Sequence, residues 1–255
     1  MRKILLVSGC SFTDKNWYSD FYPEMNTGWP KWPELLAEKL DMDCVNLGQS
    51  GAGNEYIYSS ILDYVCSNPT GKIGLVIAGW SQIHRKDFQS IGNWRNDRVD
   101  PHGDVFSWMN KTLRYYLSFQ ILMEKYNLDY RQVQMLDPFN DYLNGLKYGD
   151  GDVAAGRAKS DDNMFTPVKD KPKVEKQLFA NIMWYENVLN IEKFLGWPIS
   201  PKIGGTFINN LLNKDLKVSE LDGHPNRAGQ IKIMELLYDW LSLIHISEPT
   251  RRYSI

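Results

Sequence analysis

The chain has 255 residues, 43% of them hydrophobic and 24% charged, and a formal net charge of −2. That is length enough for one globular domain with a sizeable core, and the near-balanced charge gives no global electrostatic case for nucleic acid or an anionic membrane. No apolar run approaches the roughly 20 residues of a membrane span, and three scattered cysteines (Cys10, Cys44, Cys66) without metal-ligand spacing suit a reducing compartment, so a cytoplasmic protein is expected.

Ile4, Leu5, Leu6 and Val7 form a continuous apolar run that reaches Ser8-Gly9, too short for a signal peptide and the right length for a strand buried on both faces. Residues 33–40 open on Pro33 and continue with good helix formers, and residues 44–47 read as a short second strand. A helix follows from Asn54 to about Cys66, with Ile57, Ile61 and Val65 on one face, and Asn68-Pro69-Thr70-Gly71 stops it. Residues 73–78 read as a third strand. Residues 86–103 are polar and rich in turn formers, and read as a surface loop. Residues 108–126 read as a long helix, with Leu113, Leu117, Ile121 and Leu122 on one face, and 129–136 as a fourth strand. Residues 138–172 show little periodicity and 201–213 are weakly defined. Residues 174–195 read as a second long helix. Residues 226–240, with Ile231, Ile233, Met234, Leu237 and Trp240, form the last. This alternation predicts an α/β fold with a parallel sheet between helices on both faces, without internal repeat or second-domain boundary.

Four blocks fall near the C-terminal ends of these strands or in a late loop, where open α/β sheets bind ligands. They are Gly9-Cys10-Ser11, the glycine-rich stretch from Asn46 through Gly51 to Asn54, Gly79-Trp80-Ser81-Gln82, and Asp222-Gly223-His224-Pro225. A serine past the first strand, with Asp and His sharing a late loop, points to a hydrolytic triad: the histidine takes the serine proton and the aspartate fixes its tautomer. Ser11 has a second reading as a local turn or helix cap, and Cys10 as a buried apolar residue or a rival nucleophile. The stretch 48–53 misses both the nucleophile elbow and the dinucleotide fingerprint, and is left as a helix-start loop exposing backbone N–H groups. His84 and His102 read as surface residues. Trp17, Trp29, Trp32, Trp80 and Trp94 fall around the predicted site edge, either as packing residues or as platforms for sugar rings.

Across residues 3–240 these blocks resemble the SGNH, or GDSL, hydrolases, in a phage-like variant with a Trp-Ser third block and an Asp-x-His-Pro end. The resemblance implies a flavodoxin-like three-layer α/β/α sandwich. It implies Ser11 as nucleophile, His224 as base, Asp222 as its partner, and an oxyanion hole from Ser11, Gly51 and the third-block position, here Ser81. Asn54, Trp80 and Arg85 are the expected substrate-binding residues. Cys10 replaces the family's aspartate. Asp222 and His224 are one residue apart rather than two, a spacing that φ > 0 at Gly223 would ease. Ser81 replaces an asparagine, which leaves Ser81 Oγ, Gln82 or Arg85 to take its role. The expected activity is a serine esterase acting on a small-molecule or carbohydrate ester, most plausibly O-acyl or O-acetyl groups, with no metal, cofactor, nucleic acid or membrane partner and no indication of oligomeric state. The alternative is an inactive carbohydrate-binding module on the same fold. Residues 241–251 resemble a translated sequencing-library adapter, so 1–240 is expected to be the domain and 241–255 a read-through tail.

Overall fold

The structure is a computed structural model, and it describes residues 2–147 and 163–247. Strands β1 (Ile4–Gly9) and β2 (Asp43–Asn46) are joined through α1 (Trp32–Lys39), and α2 (Asn54–Ser67) leads on to β3 (Ile73–Trp80). A hairpin of β4 (Lys86–Ser90) and β5 (Asn93–Asp97) precedes α3 (Val105–Lys125), which returns to β6 (Tyr130–Gln134). After α4 (Asn140–Asn144) come the short antiparallel pair β7 (Leu146–Lys147) and β8 (Asn163–Phe165), then α5 (Lys171–Trp184) and β9 (Phe194–Leu195). Helices α6 (Ile208–Leu211) and α7 (Arg227–Ser247) follow.

Five strands form one parallel sheet in the order β2-β1-β3-β6-β9. Counted along the chain this is the doubly wound order 2-1-3-4-5, and its switch point lies between β1 and β3. Alternation along each strand divides the core in two. Leu6, Val76, Ala78, Trp80 and Tyr130 pack with Ile57, Ile61, Leu113, Tyr116 and Phe119 beneath α2 and α3. Leu5, Val7, Leu75, Ile77 and Val133 pack with Leu36, Ile233 and Leu237 beneath α1 and α7. The architecture is the three-layer sandwich expected.

Three segments depart from the sequence reading. Residues 86–103 contain the β4–β5 hairpin, whose mostly polar composition, with only Phe88 and Trp94 large and apolar within the strands, hides its strand character. The helix expected to reach residue 195 ends at Trp184, because Phe194 and Leu195 instead pair with Gln132 and Val133 as the fifth strand, where Phe194 is buried. The last helix runs past Trp240 to Ser247, and Leu241 is buried in the α1/α7 layer. Of the expected read-through tail, residues 248–255 lie outside the described residues. Among the described residues no helix is long and apolar enough to cross a membrane.

Candidate active site

The turn after β1 sets the serine. Thr13 N–H and Asp14 N–H both donate to the Cys10 carbonyl, at 2.8 and 3.0 Å, so the chain reverses sharply around Ser11. A side chain at Gly9 would put its Cβ 2.3 Å from Thr13 Oγ1, which only glycine avoids. Buried Gln230 on α7 donates to the Phe12 carbonyl (3.3 Å) and accepts from Trp32 N–H (2.9 Å), tying the turn to the last helix and to α1. The Asp14 carboxylate accepts from the N–H (2.9 Å) and Oγ–H (2.6 Å) of Ser50, which fixes the glycine-rich loop beside the same turn.

His224 Nε2 lies 2.9 Å from Ser11 Oγ, and His224 Nδ1 lies 2.6 Å from Asp222 Oδ1. The main-chain N–H of His224 also donates to Asp222 Oδ1, at 3.1 Å. That Asx-type turn is what makes the one-residue spacing work. Gly223 does not take the positive φ expected of it, and a Cβ there would meet nothing within 4 Å. Asp222 is buried, and its second oxygen accepts from Ser19 Oγ at 2.5 Å. Burial pushes the Asp222 carboxyl up, but hydrogen bonds from His224 and Ser19 outweigh it and hold the group below the ordinary carboxylate range. The imidazole packs between Trp17 and Phe12, with ring centroids at 4.8 and 5.6 Å. Asn226 then caps α7: its Oδ1 accepts from Gly229 N–H at 2.9 Å, and its amide donates to the Asp215 and Lys217 carbonyls.

Across from this relay stands Gly51, with φ +79°, where a Cβ would approach Asn96 Oδ1 to 2.5 Å. Neither Ser11 N–H nor Gly51 N–H donates a hydrogen bond among the described residues. The hairpin backs this loop. Asp87 on β4 accepts from the N–H groups of Gly53 (2.8 Å) and Tyr56 (2.9 Å), capping α2 from outside it, and Asn96 Nδ2 donates to the Ser50 carbonyl at 3.3 Å. Between the two walls lies a cleft of about 630 Å³, lined by Ser11, Trp17, Tyr18, Asp20, Ser50, Gly51, Arg85, His224 and hairpin-end residues Asn96, Asp97, Arg98 and Val99.

The third block is placed differently from expectation. Ser81 is fully buried, its Oγ has no hydrogen-bond partner and its N–H is taken by Asn54 Oδ1 at 2.8 Å, so it is not a wall of the cleft. Asn54, expected to bind substrate, is buried as the tie between α2 and the end of β3, donating to Thr112 Oγ1 at 3.1 Å. Trp80 shares the face of Val76 and Ala78, lies wholly in the core, and donates to Gln132 Oε1 at 3.0 Å. Arg85 does line the cleft. Of the tryptophans offered as site-edge residues, Trp17 is in the cleft and Trp32 is core. His84, read as a surface residue, is buried edge-on against Phe165 at 4.8 Å, and burial pushes its pKa down to about 3. Cys10 is buried in the α1/α7 layer.

Sequence reasoning missed Ser19, Gln230 and the cleft residues of the hairpin. None has a motif. No strand period signalled the hairpin, since the apolar residues of 86–97, Phe88, Ile91 and Trp94, fall three apart. Among the described residues no cluster of three or more His, Cys, Asp or Glu could hold a metal ion.

The sequence matches no protein-family profile and no curated protein. Several solved structures are similar to it at low identity. A psychrotrophic esterase from Pseudoalteromonas sp. is 13% identical over 96% of this chain and 100% of its own, with a TM-score of 0.49. A Desulfitobacterium hafniense protein assigned to the G-D-S-L family of lipolytic proteins is 15% identical over 93% and 99%, at 0.46. An acetylxylan esterase from Geobacillus stearothermophilus is 13% identical over 94% of each chain, at 0.44.

Proposed function

We propose that this chain is a serine esterase of the SGNH type, working through an acyl-serine intermediate. One observation carries the reading: Ser11 Oγ sits 2.9 Å from His224 Nε2, whose Nδ1 is held by buried Asp222, beside the unengaged N–H groups of Ser11 and Gly51. Ser11 Oγ adds to the ester carbonyl as its proton passes to His224 Nε2, and the carbonyl π pair moves onto oxygen. The two N–H groups stabilise that oxyanion. Collapse expels the alcohol, which takes the proton from His224, and water deprotonated by the same imidazole releases the acid and regenerates Ser11. Throughout, Asp222 keeps Nδ1 protonated and Nε2 basic.

The cleft lining favours a polyhydroxylated alcohol, such as an O-acylated or O-acetylated carbohydrate. Exposed Tyr18 offers a ring face, and Asp97 offers acceptors suited to hydroxyl groups.

A fluorophosphonate probe reads the proposal directly, since only an activated serine reacts. Ser11 should label and short aryl esters should turn over, while Ser11→Ala should lose both, with kcat down about 10⁴-fold or more. Cys10→Ala should keep both. A wild-type protein that neither labels nor cleaves any ester in a broad panel is instead a binding module on this fold.

A further inference from the structure

On the esterase reading the N–H groups of Ser11 and Gly51 serve the developing oxyanion, and Arg85 lines the same cleft. Arg85 Nη1 donates at 3.1 Å to the carbonyl of Ala52, the residue after Gly51, while Nε and Nη2 both donate to Gln82 Oε1 at 3.2 and 2.9 Å. Gln82 is itself fixed through its amide, which donates to Asp141 Oδ2 at 2.7 Å. The guanidinium is therefore clamped in one plane by two neutral acceptors, and these three bonds leave one N–H on each terminal nitrogen unassigned.

Its surroundings do not suit a general anion trap. The charged residues lining the cleft are Arg85, Arg98, Asp20 and Asp97, a balanced set with no excess positive field for an anionic substrate. Arg85 lies against the loop that carries one oxyanion donor, and its backbone carbonyl and Cβ are within 3.2 Å of where a side chain at Gly53 would begin. Burial pulls its pKa down, with the Cys10 sulfur, next to the nucleophile, the foremost opposing influence. A half-buried charge at the cleft wall, hydrogen-bonded to neutral partners, gains when negative charge forms at the reacting carbonyl.

We infer that Arg85 is a third oxyanion donor, giving a charge-assisted hydrogen bond from a terminal N–H to the carbonyl oxygen as Ser11 adds to it. The inference rests on the serine esterase reading. It assigns to Arg85 a role in the chemical step rather than in substrate affinity.

Steady-state kinetics on a neutral ester, p-nitrophenyl acetate, test it with the full-length protein. Arg85→Ala should lower kcat about 100-fold with KM nearly unchanged, the usual cost of one lost oxyanion donor. Millimolar guanidinium chloride should recover much of that loss and leave wild type unaffected, which a merely structural clamp on the Ala52 loop would not show. Arg85→Lys, which keeps the charge but not the fork, should lie between, and supplies the readout should Arg85→Ala not melt cooperatively. An unchanged kcat, a raised KM at constant kcat, or no rescue in a folded variant overturns the role. An inactive, unlabelled wild type overturns the esterase reading itself, and this inference with it.

Discussion

The two walls of the cleft are built on different physical terms. The relay wall is made of side chains locked by short hydrogen bonds and aromatic packing: Ser11, His224, Asp222 and Ser19 in series, with Trp17 and Phe12 on the ring. The oxyanion wall is made of backbone. Its loop is held from behind by Asp14, Asp87, Asn96 and Arg85, none of which is in the loop. Proton transfer needs a tautomer and a direction, which buried side chains can fix. Charge stabilisation needs N–H dipoles at a fixed point, which a positive-φ glycine supplies provided its neighbours stop it from moving.

If that contrast is right, the walls should fail differently. After the loss expected of Ser11→Ala, the largest effect is expected at the backbone wall: Gly51→Ala places a methyl where φ is +79° and Asn96 Oδ1 is 2.5 Å away, so the loop must shift. Its kcat should fall about 10²–10³-fold, as for loss of an oxyanion donor, while fluorophosphonate still reacts, though slowly, at Ser11. Labelling at wild-type rate with full turnover would break the contrast.

Ser19→Ala probes the opposite wall at one remove. Hydrogen bonds to charged groups are worth about 1.5–3 kcal/mol, so a loss of roughly 10–100-fold in kcat is the upper range if all of it is felt in the transition state. Ser19 helps hold the Asp222 carboxyl below its ordinary range. A depressed carboxyl favours the native state above its unfolded pKa and loses that effect as pH falls through the folded value. Without Ser19 the folded value rises, so acid inactivation should begin at higher pH than in wild type. A pH–rate profile superimposable on wild type would show that Ser19 merely fills space.

The smallest effect is one of stability, behind the oxyanion wall. His84 is buried with its pKa pushed down to about 3 from 6.5. Between those values the unfolded chain binds a proton that the native one does not, so native stability falls as pH drops, by about 1.4 kcal/mol per unit. Urea unfolding should show this slope between pH 6 and 4 (roughly the middle of that window), and His84→Leu should flatten it while leaving the Ser19-dependent acid inactivation in place.

The sheet was legible because β1 and β3 are continuous apolar runs, and the residues of the Ser11–His224–Asp222 hydrogen-bond series because Ser11 and His224 each sit at a strand or helix boundary that sequence can locate. The oxyanion wall was not. Trp80 and Ser81 were read from their motif, whereas the period-two phase of Val76, Ala78 and Trp80 already pointed Trp80 beneath α2 and α3. Asn54 opens α2 as a good helix start would, and nothing local says that its amide turns inward to Ser81. Ser19 and Gln230 act across more than 190 residues, a distance at which no spacing rule applies. His84 reads as polar and exposed until Phe165, 81 positions on, closes over it.

The Ser11–His224 hydrogen bond joins positions 213 residues apart. During synthesis the serine therefore emerges well before the imidazole, and Gln230, which braces the serine turn, emerges later still. A growing chain therefore lacks the partner of the Ser11 hydroxyl until His224 has been added. On the serine esterase reading, Ser11 gains its base only when the loop before α7 meets the turn after β1.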